Sequence, residues 1–405
     1  MARPQILVAS PTPVFPADDG GRLHTVRHLE PLADAVDYHL LAMVTPDERA
    51  AWDTAAHDAF FTSVAVVDRP RTMPELDAAE AWRHFWFHAR TRLPLISVSY
   101  YSPEAVQAAR AIVAIHNIDL IEVLNTHMAF VHRFVPDVPA VLISQNIEGD
   151  LHPFWAGDRS IPARAMWKAL GMLSRRATRN TELGNALGFA DRLYITPADA
   201  ARAGSPKGVL PITAPIDRLE RTFSPDRLNL MTLGSFDWPP NAEGVRWLLA
   251  DVWPLVTAPQ ARLNIVGANP PPDVVGAAGE RVTVHGYVDD AAAWRRQADA
   301  LLVPLLSGGG ARVKVVEALG AGLPVITTRK GAEGLSLVDG KTALIADGAV
   351  SFAAAIDRLA GSIQRRRQLS GLGHELASQK HSAAAAASIK KATYERVLGR
   401  ELDLP

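Results

Sequence analysis

The feature that most constrains the fold of this chain is an alternation of short apolar runs with longer helix-forming stretches. Runs such as ILVAS (residues 6–10), AVLISQN (140–146) and ALLVPLL (300–306) have the composition of buried strands. Helix starts are marked as well, and Asn241, which follows two prolines, is a predicted N-cap. Strands that alternate with helices form parallel sheets covered by helices. The sequence therefore predicts an α/β protein.

The alternation occurs in two halves, separated by the turn-rich segment PKGVLPITAPIDRLERTFSPDR (residues 206–227). A chain of 405 residues is long enough for two or three domains with substantial cores. We therefore predict two doubly wound, Rossmann-like domains that face a cleft, residues 1–215 and residues 216–385. Residues 386–405 are predicted to form a C-terminal helix that returns to the first domain.

The composition excludes several classes of site. The chain has no cysteine, so it has no disulfide, no thiolate nucleophile and no cysteine-ligated metal. Its thirteen histidines are scattered without a pattern such as HExxH, and we expect no metal and no cofactor. The formal net charge of −1 gives no basic surplus for nucleic acid. No apolar run approaches the ~18 residues of a membrane span, and we expect a cytoplasmic protein.

The loop that follows ALLVPLL has the composition of a phosphate-binding loop. It contains three glycines, among them Gly309 and Gly310, and then two cations, Arg312 and Lys314. Glycines let the backbone approach an anion, and the N–H groups at a helix start attract negative charge. We therefore predict a phosphate or pyrophosphate site, with Glu317 in the helix as an acceptor for ribose hydroxyls. The alternative is a glycine-rich turn with solvated charges.

The first half has candidate residues at corresponding strand ends, where doubly wound sheets bind ligands. Gly20 and Gly21 precede a helix predicted from about residue 22, and they either contact a donor phosphate or acceptor or only form the turn. His127 follows the strand DLIEVLN and is either a catalytic residue or a structural histidine. Asn146 and Glu148 follow the next strand, with the same two interpretations.

Two further segments are candidates for contact with apolar partners. The helix predicted over residues 164–179 is rich in Arg and Lys beside apolar side chains, so it either touches anionic lipid or is a solvated face. The aromatic stretch AWRHFWFHARTRLPLISVSYYS (residues 81–102) is either a lid or an apolar acceptor surface, or it belongs to the core.

Several segments resemble the retaining GT-B glycosyltransferases of the large family-four group. They are GSFDWPPNAEGVRWLLADVWP, LNIVGANPP, VTVHGYVDD, LLVPLLSGGGARVKVVEALGAGLPVITTRKGAEGL and DGKTALIADGAVSFAAAI. In the first half, ILVASPTPVFPADDGGRLHTVRHLEPLA and LPLISVSYYSPE resemble the branch of exopolysaccharide and exosortase-linked sugar transferases. The resemblance covers nearly the whole chain and implies the GT-B fold.

The resemblance also implies roles for the second-domain residues. Glu317 matches the second acid of the Glu-x7-Glu motif, which holds the ribose, and Arg312 and Lys314 lie in the region beside the diphosphate. This chain departs from the pattern at Gly309, where the first acid of the motif would stand. The Arg and Lys that usually follow the first strand of the second domain are replaced by Phe-Asp-Trp (236–238). Our hypothesis is that Arg312 and Lys314 supply the phosphate-binding charge instead.

In the first domain, the resemblance implies that His127 lines the donor-sugar site and that Gly20 and Gly21 lie near the phosphate and acceptor. The implied activity is metal-independent, retaining transfer of a sugar from a nucleotide-diphospho-sugar to an acceptor hydroxyl, in polysaccharide, glycolipid or natural-product glycosylation. The aromatic stretch indicates an apolar or lipid-linked acceptor, and the basic helix over residues 164–179 indicates peripheral contact at the inner face of a membrane. A nucleotide-sugar epimerase and a catalytically degenerate nucleotide-binding or partner protein are the alternatives.

Overall fold

The computed structural model describes residues 3–17, 20–70, 78–151, 161–205, 208–308 and 312–402. The chain divides into two compact units, residues 1–211 with 386–405, and residues 212–385. The first boundary between the two units therefore follows residue 211, whereas the predicted domain boundary follows residue 215. Within the described residues, each unit contains one six-stranded parallel sheet.

The first sheet has the strand order β3-β2-β1-β4-β5-β6, which is the doubly wound Rossmann order. Every neighbouring pair of strands in it is parallel. Its strands are β1 Gln5–Ser10, β2 Asp37–Val44, β3 Ser63–Asp68, β4 Leu120–Leu124, β5 Ala140–Ser144 and β6 Asp191–Tyr194.

Helices connect these strands and cover both faces of the sheet. They are α1 Gly20–Leu29, α2 Pro46–Ala50, α3 Thr54–Phe60, α4 Ala78–Thr91, α5 Leu95–Tyr100, α6 Pro103–His116, α7 Ala129–Phe134, α8 Glu148–Leu151, α9 Ile161–Glu182 and α10 Pro197–Arg202. Successive residues of β1 enter different cores, Ile6 and Val8 on one face and Leu7 and Ala9 on the other. Burial on both faces explains why these strands are continuous apolar runs.

The second sheet repeats the same topology with the order β12-β11-β10-β7-β8-β9. Its strands are β7 Leu228–Leu233, β8 Ala261–Val266, β9 Val282–Gly286, β10 Ala300–Val303, β11 Val325–Thr327 and β12 Leu344–Ile345. Its helices are α11 Pro239–Trp247, α12 Pro272–Val275, α13 Ala291–Gln297, α14 Val313–Gly320, α15 Arg329–Ala332, α16 Ala349–Ala360 and α17 Ile363–Lys380. The prediction of an α/β protein with two Rossmann-like sheets is confirmed.

The prediction that Asn241 caps α11 is wrong. The helix begins two residues earlier, because the pair Pro239-Pro240 occupies its first turn, and the N-cap position is Trp238. Proline suits that turn because its fixed φ is already helical and the N–H it lacks would have no partner within the helix. Asn241 is left inside the helix with its amide directed to the end of β7, where its Nδ2 donates to the carbonyl oxygen of Ser235 at 2.7 Å.

The C-terminal helix α18, Ala383–Leu398, packs on the first sheet. Lys390 Nζ lies 2.9 Å from Glu122 Oε1 in β4, and the Tyr394 hydroxyl donates to the same carboxylate at 2.6 Å. All three side chains are fully buried. Residues from 386 onward therefore belong to the first unit although they follow the second unit in sequence.

Candidate functional site

Each sheet offers one place where a ligand is expected to bind. In open α/β sheets this is the carboxyl end of the two central strands from which the strand order runs in opposite directions. In the first sheet these strands are β1 and β4, and in the second they are β7 and β10. The helices or turns that follow them carry the predicted residues. We call the two groups the first-unit site and the second-unit site.

Lys314 is the central residue of the second-unit site. It extends from the first turn of α14 to the carboxyl end of β7, where its Nζ donates to the carbonyl oxygen of Leu233 at 2.5 Å and to Oδ1 of Asn241 at 2.9 Å. A Cβ at Gly234 would lie 2.9 Å from this Nζ and 2.5 Å from the Asn241 amide nitrogen. Glycine at position 234 therefore leaves the space that the ammonium group occupies.

The ammonium group of Lys314 is poorly compensated. Burial, and then the nearby charge of Arg312, lower the pKa of Lys314 to about 8. Its two hydrogen-bond acceptors, on Leu233 and Asn241, are neutral oxygens, which do not cancel its charge. An anion that reaches this position would stabilise the charged form, because an opposite charge within hydrogen-bonding distance favours it.

Arg312 is directed into the protein. Its side chain is 3% exposed, and Nη2 donates to the carbonyl oxygens of Gly308 at 3.2 Å and Lys330 at 3.1 Å. Glu333 lies 3.8 Å from the same nitrogen. Burial lowers the pKa of Arg312, and Glu333 partly offsets this. The guanidinium group thus joins the glycine loop to α15, and its contact with a phosphate stays a prediction.

The described part of the glycine loop is closely packed. Gly308 has a φ of 88°, and a Cβ there would lie 2.7 Å from Pro240 Cγ and 2.8 Å from Trp238 Cζ2. A larger residue would therefore clash with the segment that replaces the usual cations after β7. The predicted donor-binding residues Gly309 and Gly310 lie outside the described residues.

Glu317 has a cationic partner from another helix. Its Oε2 accepts a hydrogen bond from Nη1 of Arg295 in α13 at 3.0 Å, and the two side chains are 14% and 15% exposed. Arg295 is 22 residues from Glu317 in the sequence, and the sequence analysis did not predict this pair. Binding of ribose hydroxyls by Glu317 stays a prediction, in which Arg295 orients the carboxylate.

In the first-unit site, α1 begins at Gly20, so Gly20 and Gly21 form its first turn instead of preceding it. Gln145, which follows β5, donates from Nε2 to the carbonyl oxygen of Gly21 at 3.3 Å and to Thr25 Oγ1 at 3.0 Å. The backbone N–H of Gln145 donates to Asn125 Oδ1 at 3.0 Å. The segments that follow β1, β4 and β5 are thus joined by side chains.

His127 lies in a 3-10 turn, Thr126–Met128, at the carboxyl end of β4. Its ring meets the ring of Tyr100 edge to face, with centroids 4.7 Å apart. Arg69, just beyond β3, donates to the Tyr100 hydroxyl at 3.4 Å. The structure places His127 at the expected edge of the sheet, and its contact with a donor sugar stays a prediction.

A buried carboxyl group, Glu182, supports this edge. It ends α9 with no exposed surface and accepts three hydrogen bonds, from Thr126 Oγ1 at 2.5 Å, from the backbone N–H of Glu148 at 3.1 Å and from that of Gly149 at 3.2 Å. Glu182 therefore holds together the turn that carries His127 and the start of α8.

Both carboxyl groups of this region have raised pKa values. Burial raises the pKa of Glu182 to about 8, against the opposing effect of its hydrogen bonds. Burial also raises the pKa of Glu148 to about 7, against a hydrogen bond with Asn146. Groups that titrate near neutral pH are typical of functional sites, although structural networks produce them too.

The two segments with predicted lipid contact differ in the structure. In α9, Arg175 Nε donates to the carbonyl oxygen of Gly149 at 3.2 Å and Arg179 Nε lies 3.3 Å from Asp150, so these cations hold α8. The side chains of residues 161–170 lie outside the description. In the aromatic stretch, Trp82 and Trp86 of α4 are exposed, whereas most of α5 is buried.

Sequence reasoning missed the contacts that Gln145, Tyr100, Glu182, Asn241 and Arg295 make at the two sites. Gln145 follows a strand just as His127 does, and this position was a usable signal. Glu182 and Arg295 are single charged residues in helices, and nothing in the local pattern separates them from solvated ones. Their partners are far away in sequence, because Thr126 is 56 residues from Glu182 and Glu317 is 22 from Arg295.

Residues 227–362 match the family described as glycosyl transferases group 1. The matched segment lies within the second unit and includes Lys314 and Glu317. A comparison with curated proteins gave no significant match.

Solved glycosyltransferase structures share the fold of the whole chain. Sucrose-phosphate synthase of Thermosynechococcus elongatus superposes with a TM-score of 0.64 at 18% identity, covering 98% of this chain and 100% of that one. HepE of Anabaena, in complex with UDP and glucose, gives 0.63 at 15% identity, with 96% and 99% covered. WaaG, a glycosyltransferase involved in lipopolysaccharide biosynthesis, gives 0.57 at 14% identity, with 96% and 98% covered. The chain therefore has the GT-B fold.

A search of the described residues for membrane-spanning helices found none of sufficient length and apolarity.

Proposed function

We propose that this protein is a retaining glycosyltransferase. It takes a sugar from a nucleotide-diphospho-sugar, bound at the second-unit site, and transfers it to an acceptor hydroxyl. The family match over residues 227–362 and the shared GT-B fold support sugar transfer, and the UDP held by HepE supports a nucleotide-linked donor. The first-unit site serves the transferred sugar and the acceptor in this proposal.

The observation that carries the proposal is the position of the Lys314 ammonium group. Relatives of this kind are expected to have cations after the first strand of the second domain, and this chain has Phe-Asp-Trp there. Lys314 reaches the same strand end from α14, at 2.5 Å from the Leu233 carbonyl oxygen. A diphosphate beside Gly234 would meet this ammonium group, and Glu317 would hold the ribose.

The chemistry follows from where charge develops. The bond between the sugar C1 and the β-phosphate oxygen breaks, and its electron pair leaves with the nucleoside diphosphate. The acceptor oxygen bonds to C1 on the face that the diphosphate leaves, and the hydroxyl proton passes to the departing phosphate oxygen. The positive charge of Lys314 interacts most strongly when the leaving group has gained its full charge, so it lowers the barrier.

The proposal includes metal independence, because Lys314 neutralises part of the diphosphate charge. It also includes an apolar or lipid-linked acceptor, as the role of WaaG in lipopolysaccharide biosynthesis suggests for a protein of the same fold, and hence peripheral contact with a membrane. Transfer that persists in EDTA would support the first point. A product whose anomeric configuration equals that of the donor, measured by NMR, would support retention.

The experiment that tests the proposal is a thermal-shift screen with UDP, GDP, dTDP and ADP sugars, followed by turnover with the donor that stabilises the protein. We expect Lys314→Met to abolish stabilisation by that donor, whereas Lys341→Met, at an exposed position of the same unit, retains it. Equal donor binding by Lys314→Met and the parent protein would refute the proposed site.

The same experiment separates the two alternatives, neither of which the comparisons favour. An epimerase would convert the donor alone to an epimer without an acceptor. A degenerate binding protein would be stabilised by a donor but would release no nucleotide with any acceptor in a broad panel.

A further inference from the structure

The solvent face of α4 has an unusual composition. The exposed residues of this helix recur at intervals of three or four, so they form one face. We call it the tryptophan–arginine face, and it consists of Ala79, Trp82, Arg83, Trp86, Ala89 and Arg90. Trp82 is 49% exposed and Trp86 is 68% exposed. A helix on the surface of a soluble domain normally turns its apolar stripe inward and its polar face to water.

The two tryptophans are not required to attach α4 to the domain. Phe87 attaches the helix, since its ring lies 4.6 Å from that of Tyr101 and 6.2 Å from that of Phe134, measured between centroids. Trp82 and Trp86 contact Phe85 of their own helix, edge to face, at 5.6 and 6.1 Å. These contacts hold the two indole rings in place on the surface. Packing against the core does not account for the position of these rings.

The charge of the face has one sign. Arg83 and Arg90 are exposed, and none of the six residues of the face is acidic. Trp82 and Arg83 are adjacent, and Trp86 and Arg90 are four residues apart. The face therefore combines two indole rings, whose polar N–H suits a hydrated boundary, with two guanidinium groups that bind phosphate oxygens through two donors.

We propose that the tryptophan–arginine face docks this protein onto the surface of a membrane that contains anionic phospholipid. Tryptophan is enriched where lipid headgroups meet water, and basic residues are attracted to anionic headgroups there. A helix with bulky apolar side chains and cations on its outer face lies in the plane of that boundary. This inference assigns a surface to the membrane contact that the proposed function includes. Its test needs no donor or acceptor, so it can fail while sugar transfer stands.

Neighbouring apolar surface could enlarge the contact. Both α4 and α9 pack against α5, and Met172 and Leu173 of α9 are 59% and 46% exposed. Arg176, on the same helix, is exposed as well. A variant in α9 therefore tests whether the contact extends beyond α4.

The experiment is cosedimentation of the full chain with two kinds of vesicle. One contains phosphatidylcholine alone, and the other contains phosphatidylcholine and phosphatidylglycerol, with about one anionic lipid in three. We expect binding to the anionic vesicles and much weaker binding to the neutral ones. Binding should fall as NaCl is raised, because salt screens the attraction between exposed charges.

The variants assign the surface. Each basic residue near an anionic membrane contributes about 1 kcal/mol, or roughly fivefold, so Arg83→Gln with Arg90→Gln should lower the partition coefficient roughly thirtyfold. Trp86→Ala should lower the partition coefficient by about tenfold or more, since the indole presents a large apolar area. The matched controls lie in the second unit, with Lys341→Gln and Lys380→Gln for charge and Tyr287→Ala for an exposed aromatic ring. They should bind like the parent protein.

Three results would overturn the proposal. One is no binding to anionic vesicles by a parent protein that is folded by circular dichroism. Another is undiminished binding by the α4 variants. If Leu173→Gln lost binding at the same time, the contact would lie on α9. The third is that the parent protein binds no vesicles but associates with itself in a concentration-dependent way, and that Trp86→Ala abolishes this association. The face would then be an interface between copies of this chain.

Discussion

At the scale of single residues, Lys314 shows how one side chain can reach the end of a strand that is distant in sequence. Its partner Leu233 is 81 residues earlier in the chain, and the two meet because β7 and β10 are adjacent in the sheet. A buried lysine whose hydrogen-bond acceptors are two neutral oxygens costs the folded state free energy, because its charge is removed from water. An anionic ligand at this position would offset that free energy.

This arrangement predicts proton uptake on nucleotide binding. The pKa of Lys314 is about 8 without ligand, and a diphosphate would raise it, so at pH 8.5 binding must draw a proton from the solvent. Isothermal titration calorimetry with the preferred nucleotide-sugar, whose diphosphate has no group that titrates near neutral pH, measures this number in buffers of different ionisation enthalpy. We expect uptake of a substantial fraction of one proton at pH 8.5 and little at pH 6.5.

The control for this measurement is Lys341→Met, which should show the same uptake as the parent protein. Lys314→Arg should bind nucleotide with no pH-dependent uptake from this position, because a guanidinium group stays protonated throughout. Uptake at pH 8.5 that is unchanged in Lys314→Arg would contradict the assignment.

The position of His127 at an edge of the sheet has a local signal, because it follows a strand, and in a parallel sheet the carboxyl ends of all strands share one edge. The residues that sequence reasoning missed act through partners far away. Gln145 reaches Gly21 across 124 residues, and its glutamine side chain has no motif that announces this. Arg312 and Lys314 looked equivalent as sequence, but the structure separates them, because the guanidinium group turns to backbone carbonyls and the ammonium group to the strand end.

At the scale of elements, the strands were predictable because a strand buried on both faces must be apolar throughout. Helix α17, Ile363–Lys380, was not predicted, because its sequence IQRRRQLSGLGHELASQK lacks an apolar stripe. It is held instead by buried Arg366, which donates to the carbonyl oxygens of Leu359, Ala360, Ser224 and Arg227. The alanine-rich helix α18 carries a similar buried polar attachment through Lys390.

The attachment of α18 gives a prediction about stability. Lys390 and Glu122 form a fully buried ion pair, and removing one partner strands the other charge without compensation. Loss of one member of such a pair costs about 3–5 kcal/mol. Lys390→Met should therefore lower the free energy of unfolding of the first unit by about this amount, measured by urea titration with far-UV circular dichroism.

The double variant Lys390→Met with Glu122→Gln should recover part of the loss, since no buried charge then remains in the pair. Ser388→Ala is the control on the same helix, at an exposed position, and it should change stability by less than about 0.5 kcal/mol, as surface substitutions usually do. If Lys390→Met were as mild as Ser388→Ala, the ion pair would not hold α18 in place.

At the scale of the whole molecule, the first unit contains several buried titratable groups whose effects on stability have opposite signs as pH changes. Burial is the largest cause of lowered pKa values in five of its histidines, namely His24, His28, His39, His57 and His132. Burial raises the pKa of Glu148 to about 7 and that of Glu182 to about 8. The pH profile of stability therefore depends on which set titrates in a given range.

The sign of each contribution follows from proton binding. Between pH 6.5 and 4.5 the unfolded chain protonates its histidines more readily than the folded chain does, so stability falls as pH falls. The two glutamates act oppositely above pH 4.5, because the folded state keeps protons that the unfolded state has lost. Between pH 4.5 and 6.5, the effect of the five histidines on stability opposes that of the two glutamates. Above pH 6.5, of these groups only the glutamates still change stability with pH. We therefore predict maximal stability of the first unit near pH 6.5.

The prediction is tested by equilibrating the protein in urea at pH values from 4 to 9, followed by a short deuterium pulse at one fixed pH. Peptides from β1 and β4 then report the unfolded fraction of the first unit separately from that of the second. Glu182→Gln should become more stable relative to the parent protein as pH rises from 4.5 to 8, because each unit of pKa difference is worth about 1.4 kcal/mol. Glu280→Gln, an exposed control, should run parallel to the parent protein. A Glu182→Gln curve that also runs parallel would mean that Glu182 is ionised in the folded protein, and that its three hydrogen bonds outweigh its burial.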